Sequence, residues 1–183
     1  MATPTTLPAA FVSGNVLTAA QLNDLRGAFR VLQTVSATKT DVFTLASATY
    51  TDVTGLSVSI TPSATTSKIL VFAQVSGVGA FNAALGFGQI VRDSTAIGIG
   101  DASGSRIQCT FPIPYSQQAA NNIMFAMPAL FLDSPATTSA TTYKIQVRSE
   151  NANTIYINRS EADSNSVAGT RPISTITVME ISA

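Results

Sequence analysis

The sequence predicts a mainly β protein. We expect a β-sandwich, with a jelly roll as its form, preceded by an extended N-terminal tail and one short helix. Two patterns predict the sandwich: from Thr34 onward apolar and polar residues alternate at a period of two, and turn-forming residues divide this part into about eight to ten short segments. A third pattern sets the start of the chain apart, because two prolines and one helix-like stretch precede Thr34.

Residues 1–16 are predicted to form an extended N-terminal anchor. Pro4 and Pro8 favour an extended, polyproline-like course and disfavour a helix. The first 14 residues have neither a basic region nor the long apolar run of a secretory signal peptide. A tail of this composition is usually disordered by itself, so we expect a partner subunit or a larger assembly to hold it, with Pro4, Pro8 and Phe11 in the anchor.

Residues 17–33 predict a short helix. Thr18 is placed to cap its N-terminus, and Gln21 three residues later completes a capping box. Behind the cap, large apolar residues recur at steps of three and four and predict one apolar stripe: Leu22, Leu25, Phe29 and Leu32. An isolated helix of this length is marginal in water. The stripe must therefore pack either on its own β domain or on copies of itself.

Residues 34–183 are long enough for one β-sandwich domain. Hydrophobic residues make up 45% of the 183 residues, whereas charged residues make up only 11% and the net charge is +0. With so little charge, a monomer has weak electrostatic protection against association. The 10 lysines and arginines are scattered, which disfavours nucleic-acid binding.

The same composition argues against an enzyme. The chain has no histidine, which removes the usual general base and the commonest transition-metal ligand. Cys109 is the single cysteine, so multi-cysteine metal sites are excluded, and we expect it to be a small buried side chain. We predict no catalytic residue, no cofactor and no metal.

We predict nine strands along the body. They lie at residues 49–53, 56–60, 68–76, 83–91, 95–99, 123–132, 142–149, 154–158 and 174–181. Residues 68–76 are apolar on both faces, which is typical of a central strand. Residues 83–91 and 95–99 read as one hairpin, and residues 142–149 and 154–158 as another.

Residues 107–132 contain no charged side chain, so a membrane-spanning segment has to be considered there. Prolines, glutamines and asparagines interrupt it, and its apolar part, residues 123–132, is too short to cross a bilayer as a helix. We therefore predict no membrane insertion. Residues 123–132 are interpreted instead as a buried strand, with Pro128 at a bulge or at a sheet edge.

Several short patterns resemble functional sites without completing one. The glycines of residues 98–104 miss the spacing of a dinucleotide-binding loop, so a flexible loop is expected there. Asp93 and Asp101 match no calcium-binding loop. Asp133 precedes Ser-Pro and predicts a turn. Glu161 and Asp163 lie together in one polar loop, where a solvated position is commoner than catalysis of glycoside hydrolysis.

Two further patterns concern sugars. Asn158 begins a glycosylation sequon, which we expect to go unused without a signal peptide. Tyr115, Tyr143 and Tyr156 could stack on sugar rings if exposed, although half-buried strand positions are expected for them. An exposed aromatic platform would favour a third interpretation of the chain, a soluble carbohydrate-binding module.

The N-terminal string PAAFVSGNVLTAAQLNDLRGAFRVL resembles the start of many tailed-bacteriophage virion proteins. The matching positions are Phe11, Gly14, Leu17, Thr18, Ala19, Ala20, Gln21, Leu22 and Asn23. Residues 54–71, residues 91–106 and the ending ISTITVMEISA also resemble phage fibre or virion structural proteins.

The resemblance implies a non-enzymatic virion protein, assembled in the host cytoplasm as a homotrimer. The helix stripe would then be the oligomer interface, and the tail would bind other virion proteins. The first expected role is a tail or head fibre with a host-facing β domain that could contact a host-surface glycan. A capsid cement or decoration protein is the alternative.

Overall fold

Two β-sheets pack face to face around one apolar core. The computed structural model describes residues 31–80, 85–117 and 122–182, together with Gly14, Val16, Thr18 and Ala19. The eleven strands are β1 (Val31–Lys39), β2 (Phe43–Ala46), β3 (Thr51–Ile60), β4 (Lys68–Gly79), β5 (Gly86–Arg92), β6 (Thr95–Ile97), β7 (Phe111–Ile113), β8 (Phe125–Asp133), β9 (Thr141–Ser149), β10 (Thr154–Ile157) and β11 (Ser174–Ile181).

The first sheet, sheet A, has the order β1-β11-β4-β10-β2, and β8 also pairs with β4. The second sheet, sheet B, has the order β3-β9-β5-β6, and β7 also pairs with β5. All of these named strand pairs are antiparallel. The chain changes sheet at most of its connections, as Greek-key sandwiches do. The mainly β fold and the sandwich are confirmed, and the jelly-roll form stays a prediction.

The core lies where the alternating apolar positions of the two sheets meet. In β9, Tyr143, Ile145 and Val147 are fully buried, while the residues between them face outward. In β11, Ile176 and Val178 are fully buried in the same way. Each large aliphatic side chain buried in this way contributes roughly 1.5–3 kcal/mol. The strict alternation of these segments explains why their strands were predicted correctly.

Two features of the predicted strand arrangement differ from the structure. Residues 49–53 and 56–60 form the single strand β3, because Gly55 takes a positive φ of 87° near a break in the β3–β9 register and accommodates a bulge. The predicted hairpin of residues 142–149 with 154–158 is wrong. β9 pairs with β3 and β5 in sheet B, whereas β10 pairs with β2 and β4 in sheet A. The apolar positions of both strands face the same core from opposite sides.

The end of the predicted helix is also wrong. β1 begins at Val31, so residues 31–33 belong to a strand that pairs with β11. Leu32, predicted in the helix stripe, therefore lies on β1 with 42% of its surface exposed. The β-branched and hydroxyl residues that follow it favour a strand, and long-range pairing fixes the choice. Leu22, Leu25, Phe29 and the anchor residues Pro4, Pro8 and Phe11 lie outside the described residues.

β8 differs from the prediction in its burial. Within the described residues β8 pairs only with β4, so it is an edge strand, as the position of Pro128 predicted. It is buried on one face only, because Met127, Ala129 and Asp133 point inward while Leu130 and Leu132 point outward. Conversely, β4 is confirmed as a central strand, and the β5–β6 hairpin is confirmed.

Candidate interaction surface

Two of the acidic candidates, Asp93 and Asp163, are engaged in structural contacts. Asp93 accepts a hydrogen bond from the backbone N–H of Thr142 at 2.9 Å, and Asp163 lies between Arg159, at 3.5 Å, and Arg171. In the part of the chain that the structure describes, no group of three histidine, cysteine or acidic side chains is arranged to hold a metal ion. The Asp93 contact therefore joins the β5–β6 turn to β9, and the Asp163 contacts join residues of the loop before β11.

Asp133 is the centre of a buried network, which corrects its prediction as a turn former. The Arg92 guanidinium donates to both carboxylate oxygens at 2.8 and 2.9 Å, and the Tyr143 hydroxyl donates to one of them at 2.7 Å. Burial, followed by the hydrogen bond to Asp133, raises the pKa of Tyr143 far above its usual value. The network ties β8 to β5 and β9 across the sandwich, which satisfies the polar groups that it buries.

Asn158 is fully buried, and its side chain is part of another network. Its amide nitrogen donates to the carbonyls of Lys39 and Asp41 at 2.9 and 3.0 Å, and the Ser174 hydroxyl donates to its oxygen at 2.6 Å. A glycan on this nitrogen is incompatible with these contacts. The positive φ of 59° at Asn158 suits an asparagine.

A third buried network surrounds Glu180 on β11. One carboxylate oxygen accepts from the Ser63 N–H at 2.7 Å, the Ser63 hydroxyl at 2.6 Å and the Ser67 hydroxyl at 2.7 Å, and the other accepts from the Gln33 amide at 2.6 Å. Burial opposes the charge, but these donors outweigh it and lower the pKa of Glu180 to about 2. The carboxylate is thus a fully bonded structural anion.

The remaining reactive or aromatic candidates do not converge on one site. Cys109 is half-buried, and burial raises the pKa of its thiol, which keeps it protonated. Tyr143 is fully buried, and Tyr156 packs under the Arg159 guanidinium at 4.6 Å from the ring centroid. Only Tyr115 of the three predicted tyrosines is exposed. They do not form the aromatic platform that a carbohydrate-binding module would present.

The most unusual surface is the outer face of sheet A beside its β8 edge. Leu130 pairs with Phe72 and Leu132 with Leu70, so all four side chains share the outward face, and Met179 continues the second row on β11. Leu130 is 67% exposed, Leu132 53% and Phe72 43%. We name this surface the β8 face and define it by six residues: Leu70, Phe72, Leu130, Leu132, Met179 and Ile181.

An apolar groove adjoins the start of β8. Three hollows of about 470, 400 and 190 Å³ share Phe125 in their linings. The largest also contacts Leu85, Tyr115 and Ile123, and the second is bordered by Pro112, Pro114 and Pro128. We name it the Phe125 groove. Most of the described residues that line it are apolar.

The β8 face was not predicted, although the sequence contains a signal for it. Ala126, Pro128, Leu130 and Leu132 are all apolar and alternate with the inward residues of β8. Apolar residues on both faces of a strand usually predict burial on both faces. In an edge strand marked by a proline, the same pattern indicates an apolar outer surface, which the other described residues leave exposed here.

No family model matches this sequence, and no curated protein matches it. Among solved structures, similar chains come from infectious bursal disease virus. Its Gx strain gives a TM-score of 0.41 at 11% identity, over 81% of this chain and 38% of that one. Particles of a mutant VP2 protein from the same virus give 0.42 at 12% identity, over 81% and 39%. This chain thus spans about two fifths of their length, and likenesses at TM-scores below 0.5 carry no functional inference.

Fold and surface define the class of the molecule. It is a two-sheet β-sandwich whose described residues present an uncharged apolar outer face on sheet A. No helix within the described residues is long and apolar enough to span a membrane. The feature that distinguishes the described part of the chain is the exposed apolar β8 face.

Proposed function

We propose that this chain is a non-enzymatic structural protein of a virus particle that acts through association with copies of itself and with other particle proteins. The β8 face is the observation that carries this proposal. A soluble monomer rarely exposes an apolar patch of several hundred Å² unless the patch binds something. With a net charge of +0, the chain also lacks the charge that would keep such faces apart.

The kind of particle is proposed from the N-terminal sequence. The resemblance around Phe11, Thr18 and Gln21 supports a tailed bacteriophage. The first expected role is a homotrimeric tail or head fibre, and a capsid cement protein is the alternative. A tail with two prolines ahead of the β-sandwich suits either role, because both attach a folded body to a larger structure.

Assembly into the particle tests the proposal directly. We expect the full-length chain to be found in purified particles of the virus that encodes it, and a chain lacking residues 1–14 to fold but no longer to join them. A chain with residues 1–14 scrambled, at unchanged composition, is the control for tail length. Absence of the full-length chain from purified particles would refute the proposal, and normal incorporation of the truncated chain would refute the anchor.

Imaging separates the two roles. A labelled chain seen only at fibre tips or on the tail supports the fibre, whereas labels spread over the head lattice support the cement protein. The non-enzymatic part has its own test. The purified chain should not hydrolyse host polysaccharide, and hydrolysis that is lost in Glu161→Gln or Asp163→Asn would contradict it.

A further inference from the structure

The outward residues of β8, β4 and β11 form a continuous surface in three rows. Leu132, Leu70 and Met179 form one row, and Leu130 and Phe72 lie in the next. Paired positions on neighbouring antiparallel strands place their side chains on the same face. The third row is polar, with Gln74 and Thr175 beside Pro128. The β8 face is thus apolar in its centre and polar along one border.

The exposed apolar area of this face can be compared with the area that a subunit interface buries. The exposed fractions of Leu130, Leu132 and Phe72 correspond to roughly 250–400 Å², if a whole large apolar side chain presents about 150–250 Å². A stable subunit interface buries about 800 Å² on each partner. The apolar centre therefore supplies about a third to a half of that area, and the bordering threonines and serines of β11 and β1 can supply a polar rim.

Charge indicates which partner fits. Among the outward positions of β8, β4 and β11, Lys68 at the end of β4 is the single charged residue, and its ammonium already donates to the Ser134 hydroxyl at 2.7 Å. An uncharged surface offers nothing to recognise a charged partner. It meets a copy of itself without like-charge repulsion, which is the usual obstacle to self-association.

Pro128 favours packing on the face over pairing along the edge. It lacks a backbone N–H, so it cannot donate a hydrogen bond in a ladder that a second strand would add to β8. An edge-to-edge dimer would also leave Leu130 and Leu132 exposed, because it extends the sheet without covering it. Contact on the face buries both leucines and Phe72.

From these observations we infer that a second copy of this chain covers the β8 face, with Leu130, Leu132 and Phe72 at the centre of the subunit contact. The inference rests on the proposed function only in assuming that the chain associates with itself. It assigns the contact to the sandwich itself, independently of residues 17–30.

Leu130→Asp tests the contact, with Val167→Asp as its matched control. Both positions are exposed aliphatic side chains and both variants add one negative charge, but Val167 lies in the loop before β11 and is not one of the six residues of the β8 face. Sedimentation equilibrium over a series of protein concentrations measures the association constant. We expect Leu130→Asp to weaken association about 100-fold, which corresponds to about 2.7 kcal/mol. Val167→Asp should match the wild-type chain.

Leu132→Asp provides a second variant on the neighbouring row, and circular dichroism shows that each variant keeps its β fold. Association of the wild-type chain should persist at about 1 M salt, where charges are screened within about 3 Å. A monomeric wild-type chain, or a folded Leu130→Asp variant with unchanged association, would overturn the inference. Neither result depends on whether the chain is found in virus particles, so this inference and the proposed function can fail separately.

Discussion

Glu180 offers the sharpest test of how the sandwich is held together. Its carboxylate is fully buried and accepts four hydrogen bonds, from Ser63, Ser67 and Gln33. These donors belong to β1 and to the segment between β3 and β4. A change at Glu180 therefore acts on three parts of the chain at once, and it can be measured as a pH dependence of stability.

The magnitude follows from the pKa. The folded chain holds the pKa of Glu180 at about 2, against an ordinary value of 4.5. At about 1.36 kcal/mol per pH unit, this corresponds to about 3 kcal/mol of stability. Because the folded value is depressed, the unfolded chain binds the proton first. This contribution is fully present above about pH 5 and is lost as the pH falls towards 2.

Glu180→Gln removes the charge at nearly constant side-chain size. The amide nitrogen of the new side chain is itself a donor, so it cannot accept the hydrogen bonds that the carboxylate oxygen accepts. We expect the variant to lose about 2–4 kcal/mol at pH 7 and to show a smaller loss of stability between pH 5 and pH 2 than the wild-type chain. Urea unfolding at fixed protein concentration, repeated at each pH, measures both effects. Fixed concentration matters because self-association contributes to apparent stability.

Asp52→Asn is the matched control. Burial of Asp52 raises its pKa, but hydrogen bonds from Lys144 and Gln146 outweigh it and lower the pKa below the usual value. Its side chain is half exposed, so its ion pair should contribute less than about 1 kcal/mol. If Glu180→Gln loses stability with acid as steeply as the wild-type chain, the buried carboxylate is not the source, and the reasoning is wrong.

Three further changes should have distinct outcomes. Asn158→Ala leaves two carbonyls and the Ser174 hydroxyl without their partner and should cost about 3 kcal/mol of unfolding free energy in urea titrations; a loss below 1 kcal/mol would contradict the network. Gly88→Ala places a methyl group against the Phe111 ring and should cost about 1–3 kcal/mol in thermal unfolding, whereas Gly100→Ala, with open space around it, should be neutral. Leu25→Asp should weaken the oligomer in light scattering and leave the β fold intact; unchanged association would assign the predicted stripe to packing on its own domain.

Alternation of apolar and polar residues correctly predicted those strands that have one face in the core and the other in water. In β9 and β11 the alternation is uninterrupted, and the burial of Tyr143, Ile145, Ile176 and Val178 follows from it. The same alternation places Glu180 on the inner side of β11, so a buried carboxylate could have been expected. Its donors could not, because Ser63 and Gln33 come from distant parts of the chain.

Non-local pairing explains most of the errors. Leu32 fits a helical stripe as well as a strand, and only the pairing of β1 with β11, about 150 residues away, decides between the two structures. The partners of β10 likewise lie far along the chain, whereas a hairpin with β9 is the nearest choice in sequence. The β8 face was missed for a related reason, because a single sequence cannot show which apolar face the fold leaves uncovered.

The pairing of β1 with β11 has a mechanical consequence. Val31 lies opposite Ile181, so the segment before β1 and the end of β11 leave sheet A at the same end. A force between residues 1–30 and the loop at 158–173, at the far end of the sheet, pulls β1 along its own length. All β1–β11 hydrogen bonds then resist together, since they run perpendicular to the strands.

The same strand responds differently to a force between its start and the end of β11. That force opens the ladder from Val31 and Ile181 inward, one hydrogen bond after another. Sheet A should therefore withstand tension along β1 far better than tension that separates the start of β1 from the end of β11. A sandwich that is attached through the start of β1 and pulled at the loop of residues 158–173 therefore experiences force in the direction that it resists best.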